Sequence, residues 1–145
     1  MAIERSLVFT KPGNYERYLK IFGYFGMILG NHSRTKYVHI NPVPREIIEE
    51  HYQNLRELPI FEPTIEAFVN PINGGIVAAV FYGDRIIQRA RESIGDKDPQ
   101  KAEPWTVRGT FSKESMDLAW SQRRYLNNAI HASSSLEDAE REILL

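Results

Sequence analysis

The chain has 145 residues, with 18 basic and 19 acidic side chains, and its net charge of −1 excludes a global attraction to nucleic acid or to an anionic membrane. It contains no cysteine, which excludes a disulfide framework and a thiolate metal site. Because 42% of the residues are hydrophobic and neither a signal peptide nor a membrane span is visible, we expect a single soluble, cytoplasmic domain over residues 1–145.

The N-terminal part of the chain predicts a strand followed by a helix. Ser6–Thr10 is an apolar, β-prone run, and the Lys-Pro-Gly sequence that follows ends it, because proline cannot donate a hydrogen bond in a sheet. This places Lys11 at the tip of the strand. Apolar residues at spacings of three and four then predict a helix that Asn14 caps and that runs to about Leu29.

Hydrophobic periodicity and proline or glycine breaks predict four elements in the middle of the chain. They are a half-buried strand over Lys36–Ile40, helices over about Pro44–Leu55 and Pro63–Val69, and a strand over Gly75–Phe81. The last is almost continuously apolar, which is typical of a central strand. Tyr52 fits either core packing or a site, and the sequence identifies no partner for His51.

A further helix follows the central strand. We expect Asp84 to cap it and Gly95 to end it. Its outer face carries three arginines, which is typical of a solvated surface: Arg85, Arg89 and Arg91. Beyond it lies Arg108, whose guanidinium suits bidentate recognition of phosphate. In the segment between Phe111 and Asn128, Ser112 is expected to cap another helix, which extends to Tyr125.

The C-terminal part of the chain places one histidine beside a run of three serines. A short apolar segment carries His131 into these serines. Ser135 is a good helix N-cap, Asp138 can close a weak capping box, and the helix runs to about Leu144. The N–H groups of its first turn favour an anion near the imidazole. Glu142 meets His131 only if this helix folds back over the strand, and a hydrogen-bonded turn histidine is the alternative to a reactive one.

An ordered set of short motifs spans nearly the whole chain. The C-terminal motif is Asn128-x-x-His131-Ala132-Ser133 followed by Glu137-x-Ala139-Glu140-x-Glu142-Ile143. Upstream of it, in order, stand Lys11-Pro12, Tyr52, Pro59-x-Phe61, Gly74-Gly75-Ile76-Val77, Gly95-x-x-Asp98-Pro99 and Val107-Arg108-Gly109-x-Phe111. Together these motifs resemble the nucleoside diphosphate kinase family.

The resemblance implies an α/β fold, in detail an α+β sandwich with a ferredoxin-like βαββαβ antiparallel sheet covered by helices, and the order of predicted strands and helices agrees. It implies transfer of the γ-phosphate of ATP, or of another nucleoside triphosphate, to His131 and then to a nucleoside diphosphate. It also implies a Mg²⁺ cofactor carried on the phosphates, with no dedicated protein metal site. The expected assembly is a homo-oligomer, a tetramer or hexamer built from dimers.

The resemblance also implies roles for individual residues. His131 is the residue that carries the phosphate, and Glu142, Ser133 and Tyr52 are the other members of the catalytic set. Glu142 is expected to fix the tautomer of the imidazole, with assistance from Ser133. The implied nucleotide-binding positions are Lys11, Ile60, Arg91, Lys97, Arg108 and Asn128.

The chain departs from the family pattern at several points. Ile60 stands where an aromatic ring usually stacks on the nucleobase, Lys97 where a threonine is expected, and Ser134 where an aspartate is usual. An insert lengthens the loop before His131, and the chain ends soon after Glu142, which leaves the oligomer open. We therefore expect modestly weaker base binding. The alternatives are a nucleotide-binding or scaffolding relative with reduced or lost kinase activity, and a plain structural domain with an accidental histidine.

Overall fold

The computed structural model describes residues 3–145. Its centre is one antiparallel sheet of five strands: β1 Ile3–Thr10, β2 Ser33–Arg34, β3 Val38–Ile40, β4 Ile76–Asp84 and β5 Ile130–Ala132. The strand order is β2-β4-β1-β5, and β3 also pairs with β4 on the same side as β2. The two short strands therefore form one interrupted edge, and the expected ferredoxin-like order is confirmed.

Helices cover both faces of the sheet. They are α1 Tyr18–Leu29, α2 Arg45–His51, α3 Phe61–Val69, α4 Ile86–Ile94, α5 Val107–Phe111, α6 Met116–Ser121 and α7 Leu136–Leu144. Short 3-10 turns cover Tyr15–Arg17, Gln53–Leu55 and Pro71–Asn73. Among residues 3–145, no helix is both long and apolar enough to cross a membrane.

Side-chain alternation along the central strands builds two hydrophobic clusters, one on each face of the sheet. Val8 of β1 packs with α1 and α4, whereas the next residue, Phe9, packs with α2 and α3. In β4, Val77 belongs to the first cluster and Ile76 to the second. Because both faces are covered, β4 reads as a continuous apolar run, as the prediction of a central strand requires.

The same alternation sets the direction of the histidine on β5. Ile130 and Ala132 are both fully buried in the cluster with α1 and α4. His131 lies between them and therefore points to the face that carries α2 and α3. There it pairs with Phe9 in the sheet register, and the two rings stack with centroids 4.7 Å apart. The sheet itself thus positions the imidazole.

The predicted cap at Asn14 is wrong. Its side chain makes no capping hydrogen bond, and α1 begins only after the 3-10 turn over Tyr15–Arg17. The Asn14 amide is buried and donates instead to the carbonyl oxygen of Lys11 and to the side chain of Asn127. It joins the end of β1 to the loop before β5, a contact 113 residues away along the chain.

Two other predicted caps are also wrong. Asp84 is the last residue of β4, and Arg85, with φ of 52°, stands at the N-cap of α4. The hydroxyl of Ser112 donates to the carbonyl oxygen of Asn127, while Ser115 caps the shorter α6. Gly95, by contrast, ends α4 as predicted.

The arginine row on α4 is not wholly a solvated face. Arg89 donates to the carbonyl oxygens of Leu29 and Asn31 and so ties α4 to the end of α1. Close packing also explains Gly75, which precedes β4 with φ of +67°. A Cβ at this position would overlap the carbonyl oxygen of Ile40, so only glycine fits there.

Candidate active site

A cleft of about 540 Å³ opens beside the imidazole face of β5. Its walls come from the segments after α2, from α3, α6 and α7, and from the ends of β1 and β5. The lining includes these predicted site residues: Lys11, Tyr52, Ile60, Arg91, Lys97, Arg108, Asn128, His131 and Glu142. Ser133 is fully buried and lies behind Glu142 rather than on the lining.

Helix α7 folds back over β5 and brings Glu142 to the histidine. The Ser135 side chain accepts from the backbone N–H of Asp138 and caps this helix as predicted. Nε2 of His131 lies 2.9 Å from Oε1 of Glu142. The Ser133 hydroxyl donates to the same oxygen at 2.9 Å. The carboxylate is therefore held from two sides.

This contact selects the tautomer of His131. Because a carboxylate only accepts, Nε2 carries the proton and donates it to Glu142. The lone pair is then on Nδ1, which makes no hydrogen bond to any group in residues 3–145. Burial, with Arg108 and Lys11 nearby, holds the pKa of His131 well below its usual value, while burial raises the pKa of Glu142. The imidazole is thus neutral near pH 7 and nucleophilic at Nδ1.

Lys11 lies at the end of β1 with only 8% of its surface exposed. Its ammonium donates to Oδ1 of Asn128 at 2.9 Å and to the carbonyl oxygen of Leu126 at 3.1 Å. Burial, and then the neighbouring charge of Arg108, lower the pKa of Lys11 to about 7. The amine is therefore poised between its charged and neutral forms.

Arg108 projects from α5 into the same region. Its guanidinium donates to the carbonyl oxygens of Ile130 at 2.8 Å and Gly95 at 3.2 Å, whereas its buried Nε has no partner within residues 3–145. Burial, and then Arg91, lower the pKa of Arg108 to about 10. Arg91 itself donates to the hydroxyl of Ser134 at 3.0 Å.

Three cations of the cleft lack acidic partners, whereas Arg141, which is also on the lining, lies 3.8 Å from the carboxylate of Asp138. In the part of the chain that the structure describes, neither Lys11 nor Arg91 nor Arg108 forms a salt bridge. The three positive groups therefore repel one another, and this repulsion adds to the larger effect of burial in lowering the pKa values of Lys11 and Arg108. A polyanion that enters the cleft relieves this repulsion, and phosphate groups are the ligands that guanidinium and ammonium groups suit best.

The remaining predicted positions complete the lining. The amide of Asn128 donates to the carbonyl oxygen of Lys97 at 2.8 Å, while the Lys97 residue itself is exposed. Burial raises the pKa of Tyr52, so its phenol stays protonated. Ile60 is 8% exposed at the start of α3, and Trp120 of α6 lies on the lining as well.

His51 is a residue of the site that the sequence does not reveal. It is buried, and its ring meets that of His131 edge-on with centroids 4.8 Å apart. Its Nδ1 lies 4.0 Å from the second oxygen of Glu142. Burial, and then His131, lower its pKa to about 3, so it is neutral. The only signal in the sequence is its position next to Tyr52.

His51, His131 and Glu142 also place possible metal-ligand atoms within 4.8 Å of one another. Both imidazoles are neutral, as metal ligands must be. The direct hydrogen bond from His131 to Glu142 nevertheless uses two of these atoms for each other. We therefore interpret the cluster as a means of holding the histidine ring.

Comparison with known proteins agrees with this geometry. A family model described as nucleoside diphosphate kinase matches residues 4–145. The nucleoside diphosphate kinase of Synechococcus sp. (strain CC9311) is 37% identical, over 99% of this chain and 85% of the relative. That of Thermus thermophilus is 33% identical, over 99% of this chain and 94% of the relative.

Solved structures lead to the same family. The nucleoside diphosphate kinase of Aquifex aeolicus superposes with a TM-score of 0.78 at 32% identity, covering 99% of this chain and 94% of that one. The Borrelia burgdorferi enzyme, with bound vanadate and ADP, superposes with a TM-score of 0.84 at 23% identity. The match covers 98% of this chain and 85% of that one, and it supports the fold. The chain therefore belongs to the nucleoside diphosphate kinase family and is a phosphotransfer enzyme.

Proposed function

We propose that this chain transfers the γ-phosphate of a nucleoside triphosphate, ATP among others, to Nδ1 of His131 and from there to a nucleoside diphosphate. One observation carries the proposal. A neutral imidazole, held at Nε2 by Glu142, shares a cleft with three cations, Lys11, Arg91 and Arg108, that have no acidic partner within residues 3–145. This is the arrangement that an anionic, electrophilic phosphorus requires.

The reaction consists of two in-line displacements. In the first, the lone pair of Nδ1 attacks the γ-phosphorus, an N–P bond forms, and the bond to the β,γ-bridging oxygen breaks, which releases the diphosphate. In the second, a β-phosphate oxygen of another nucleoside diphosphate attacks the same phosphorus, and the N–P bond breaks. The proton on Nε2 stays with the imidazole throughout. The covalent intermediate requires ping-pong kinetics.

The protein contributes positioning and charge. Glu142 balances the positive charge that develops on the phosphorylated ring, and Ser133 and His51 keep the carboxylate and the ring in place. Lys11, Arg91 and Arg108 bind phosphate oxygens. The resemblance assigns Asn128 to the ribose hydroxyl, the Tyr52 hydroxyl to the vicinity of the histidine, and Ile60 and Lys97 to the nucleotide.

Mg²⁺ fits this site as an ion carried in by the nucleotide. Glu142 is engaged with His131 and Ser133, so Asp138, whose carboxylate lies 3.8 Å from Arg141, is the lining carboxylate that would hold the ion. Substrate phosphates plus one or two carboxylates are the usual environment of Mg²⁺ in proteins. When bound, the ion neutralises charge on the transferring phosphates.

We further propose that residues 1–145 act as one domain and that the protein assembles as a homo-oligomer, a tetramer or hexamer built from dimers. The single sheet with helices on both faces supports the first point. Exposed apolar side chains on α1 and on the edge strand β3 support the second, and they include Leu19, Met27 and Val38. Light scattering after size-exclusion chromatography measures the assembly directly.

The phosphohistidine can be tested directly. Incubation with γ-labelled ATP and Mg²⁺ should produce a protein-bound phosphate that is labile in acid and stable in alkali. ADP or GDP should then discharge it as labelled triphosphate. We expect His131→Ala to remain unlabelled. The neighbouring His51 also lies on the lining, but it is only 8% exposed and should not accept the label in that variant.

Each outcome separates two readings. Failure of the unmodified protein to label favours a nucleotide-binding or scaffolding relative without kinase activity. Labelling that persists in His131→Ala leaves the kinase activity intact but contradicts the assignment of the histidine. Labelling that ADP and GDP cannot discharge contradicts the second displacement.

A further inference from the structure

The proposed chemistry makes no use of the insert between Phe111 and Asn128, yet the insert forms part of the cleft wall. Three of its apolar side chains lie on the lining: Met116, Trp120 and Leu126. The first two belong to α6. This short helix therefore borders the space that also contains the imidazole and the phosphate-binding cations.

The insert is anchored rather than loosely attached. The backbone N–H of Met116 donates to Oδ1 of Asp98 at 3.2 Å, and Ala119 is fully buried. Arg124 makes two hydrogen bonds of 3.0 Å to the carboxylate of Glu114. Helix α6 thus has a fixed orientation, in which Trp120 keeps 40% of its surface exposed.

The exposed indole has no structural partner among the aromatic pairs of residues 3–145. The other aromatic rings on the lining are already packed: His131 stacks on Phe9, and Tyr52 lies edge-on to His51 and Phe68. Ile60, on the α3 side of the cleft, offers an aliphatic contact but no π face. Trp120 is therefore the ring on the described lining that presents open π surface to a ligand.

We propose that the indole of Trp120 binds the nucleobase of the substrate by stacking, with Ile60 as an apolar contact in the same cleft. The inference rests on the proposed function, because a nucleotide whose phosphates lie at the cations must place its base elsewhere in this cleft. Stacking is tolerant of base identity, since every base has a π face, but a purine overlaps an indole more than a pyrimidine does.

Steady-state kinetics with GDP and CDP as acceptors test the proposal. We expect Trp120→Ala to raise the KM for GDP about fivefold or more, which is the lower end of the effect of base–aromatic stacking, and the KM for CDP by less. The kcat at saturating acceptor should change little, because the phosphate end of the site is untouched. Trp120→Phe should restore most of the GDP affinity.

The second tryptophan of the chain offers a matched control. Trp105 is 53% exposed but lies outside this cleft. Trp105→Phe should leave both KM values unchanged. It also makes Trp120 the only tryptophan, so ADP should quench the fluorescence of this variant, and ribose 5-phosphate, which has no base, should not.

The outcomes keep this proposal separate from the kinase assignment. Suppose that γ-labelled ATP labels Trp120→Ala normally, but that the KM values for GDP and CDP rise equally or not at all. The stacking role of Trp120 is then wrong, while the assignment as a kinase stands. If the unmodified protein fails to label, the kinase assignment fails, while quenching by ADP still tests base binding. Absence of quenching in Trp105→Phe overturns the proposal even if Trp120→Ala does not fold.

Discussion

Nucleotide binding should be coupled to protonation of Lys11. In the protein without nucleotide, burial and the charge of Arg108 lower the pKa of this amine to about 7. Phosphate oxygens placed beside it favour the charged form and raise the pKa towards the ordinary value for lysine. Above pH 7 the complex therefore holds a proton that the unliganded protein lacks, and binding must take that proton from the buffer.

The size of the effect follows from the pKa. At about pH 8, one unit above the pKa of Lys11, only about one-tenth of the amines are protonated, whereas nearly all are protonated in the complex. Binding of one ADP should then take up about 0.9 proton. The affinity should fall about tenfold, or about 1.4 kcal/mol, for each pH unit above 7. At about pH 6 Lys11 is already charged and contributes no uptake.

Isothermal titration calorimetry measures the uptake. ADP binding is recorded at about pH 8 in buffers with different ionisation enthalpies, and the dependence of the heat on that enthalpy gives the number of protons. Lys11→Arg is the control, since its guanidinium stays charged and should abolish this uptake. Equal proton numbers for the two proteins at this pH would refute the reasoning, because Lys11 would then be charged before nucleotide arrives.

Four further substitutions test the site and the fold. In the unmodified protein, the labelling rate should fall as the pH drops through the pKa of Glu142, which burial raises. Glu142→Gln lacks this carboxyl and should not show that fall. A fall that persists unchanged in the variant contradicts the role of Glu142. Ser133→Ala removes a fully buried hydroxyl that supports Glu142 and should lower the free energy of unfolding by about 1–3 kcal/mol in urea titrations, whereas no loss would exclude a buried hydrogen bond. Gly75→Ala should lower it by about 2–4 kcal/mol because of its left-handed backbone and the carbonyl overlap. In contrast, a Cβ added at Gly23 on α1 has no atom within 4 Å, so Gly23→Ala should raise the free energy of unfolding by about 0.5–1 kcal/mol. Equal effects at both glycines would contradict the packing argument.

Elements with local signals are predictable from this sequence. Ser135 and the apolar stripe that follows it predict α7, and the continuous apolar run predicts β4, because capping and two-sided burial act on neighbouring residues. The contact between the Glu142 carboxylate and His131 is predictable only in part. The residue types are visible in the sequence, but the angle at which α7 returns over β5 depends on packing of the whole sheet.

Contacts between residues that lie far apart in the sequence are not predictable in this way. Asn14 has the residue type of a helix cap, yet its buried amide binds Asn127, because the end of β1 and the loop before β5 meet only in the folded sheet. His51 looks isolated in the sequence, and its contact with His131 arises from the packing of α2 on the same face of the sheet. Trp120 likewise lies on a helix whose position depends in part on a hydrogen bond to Asp98, 18 residues before Met116.

The groups that converge on the cleft are scattered from Lys11 to Glu142, and no two of the three cations belong to the same strand or helix. Partial opening of a single element, whether α4, α5 or α7, removes one of these groups from the cleft. Turnover should therefore be lost at or below the denaturant concentration of the global unfolding transition, so that a full catalytic rate reports that all of these elements are in place.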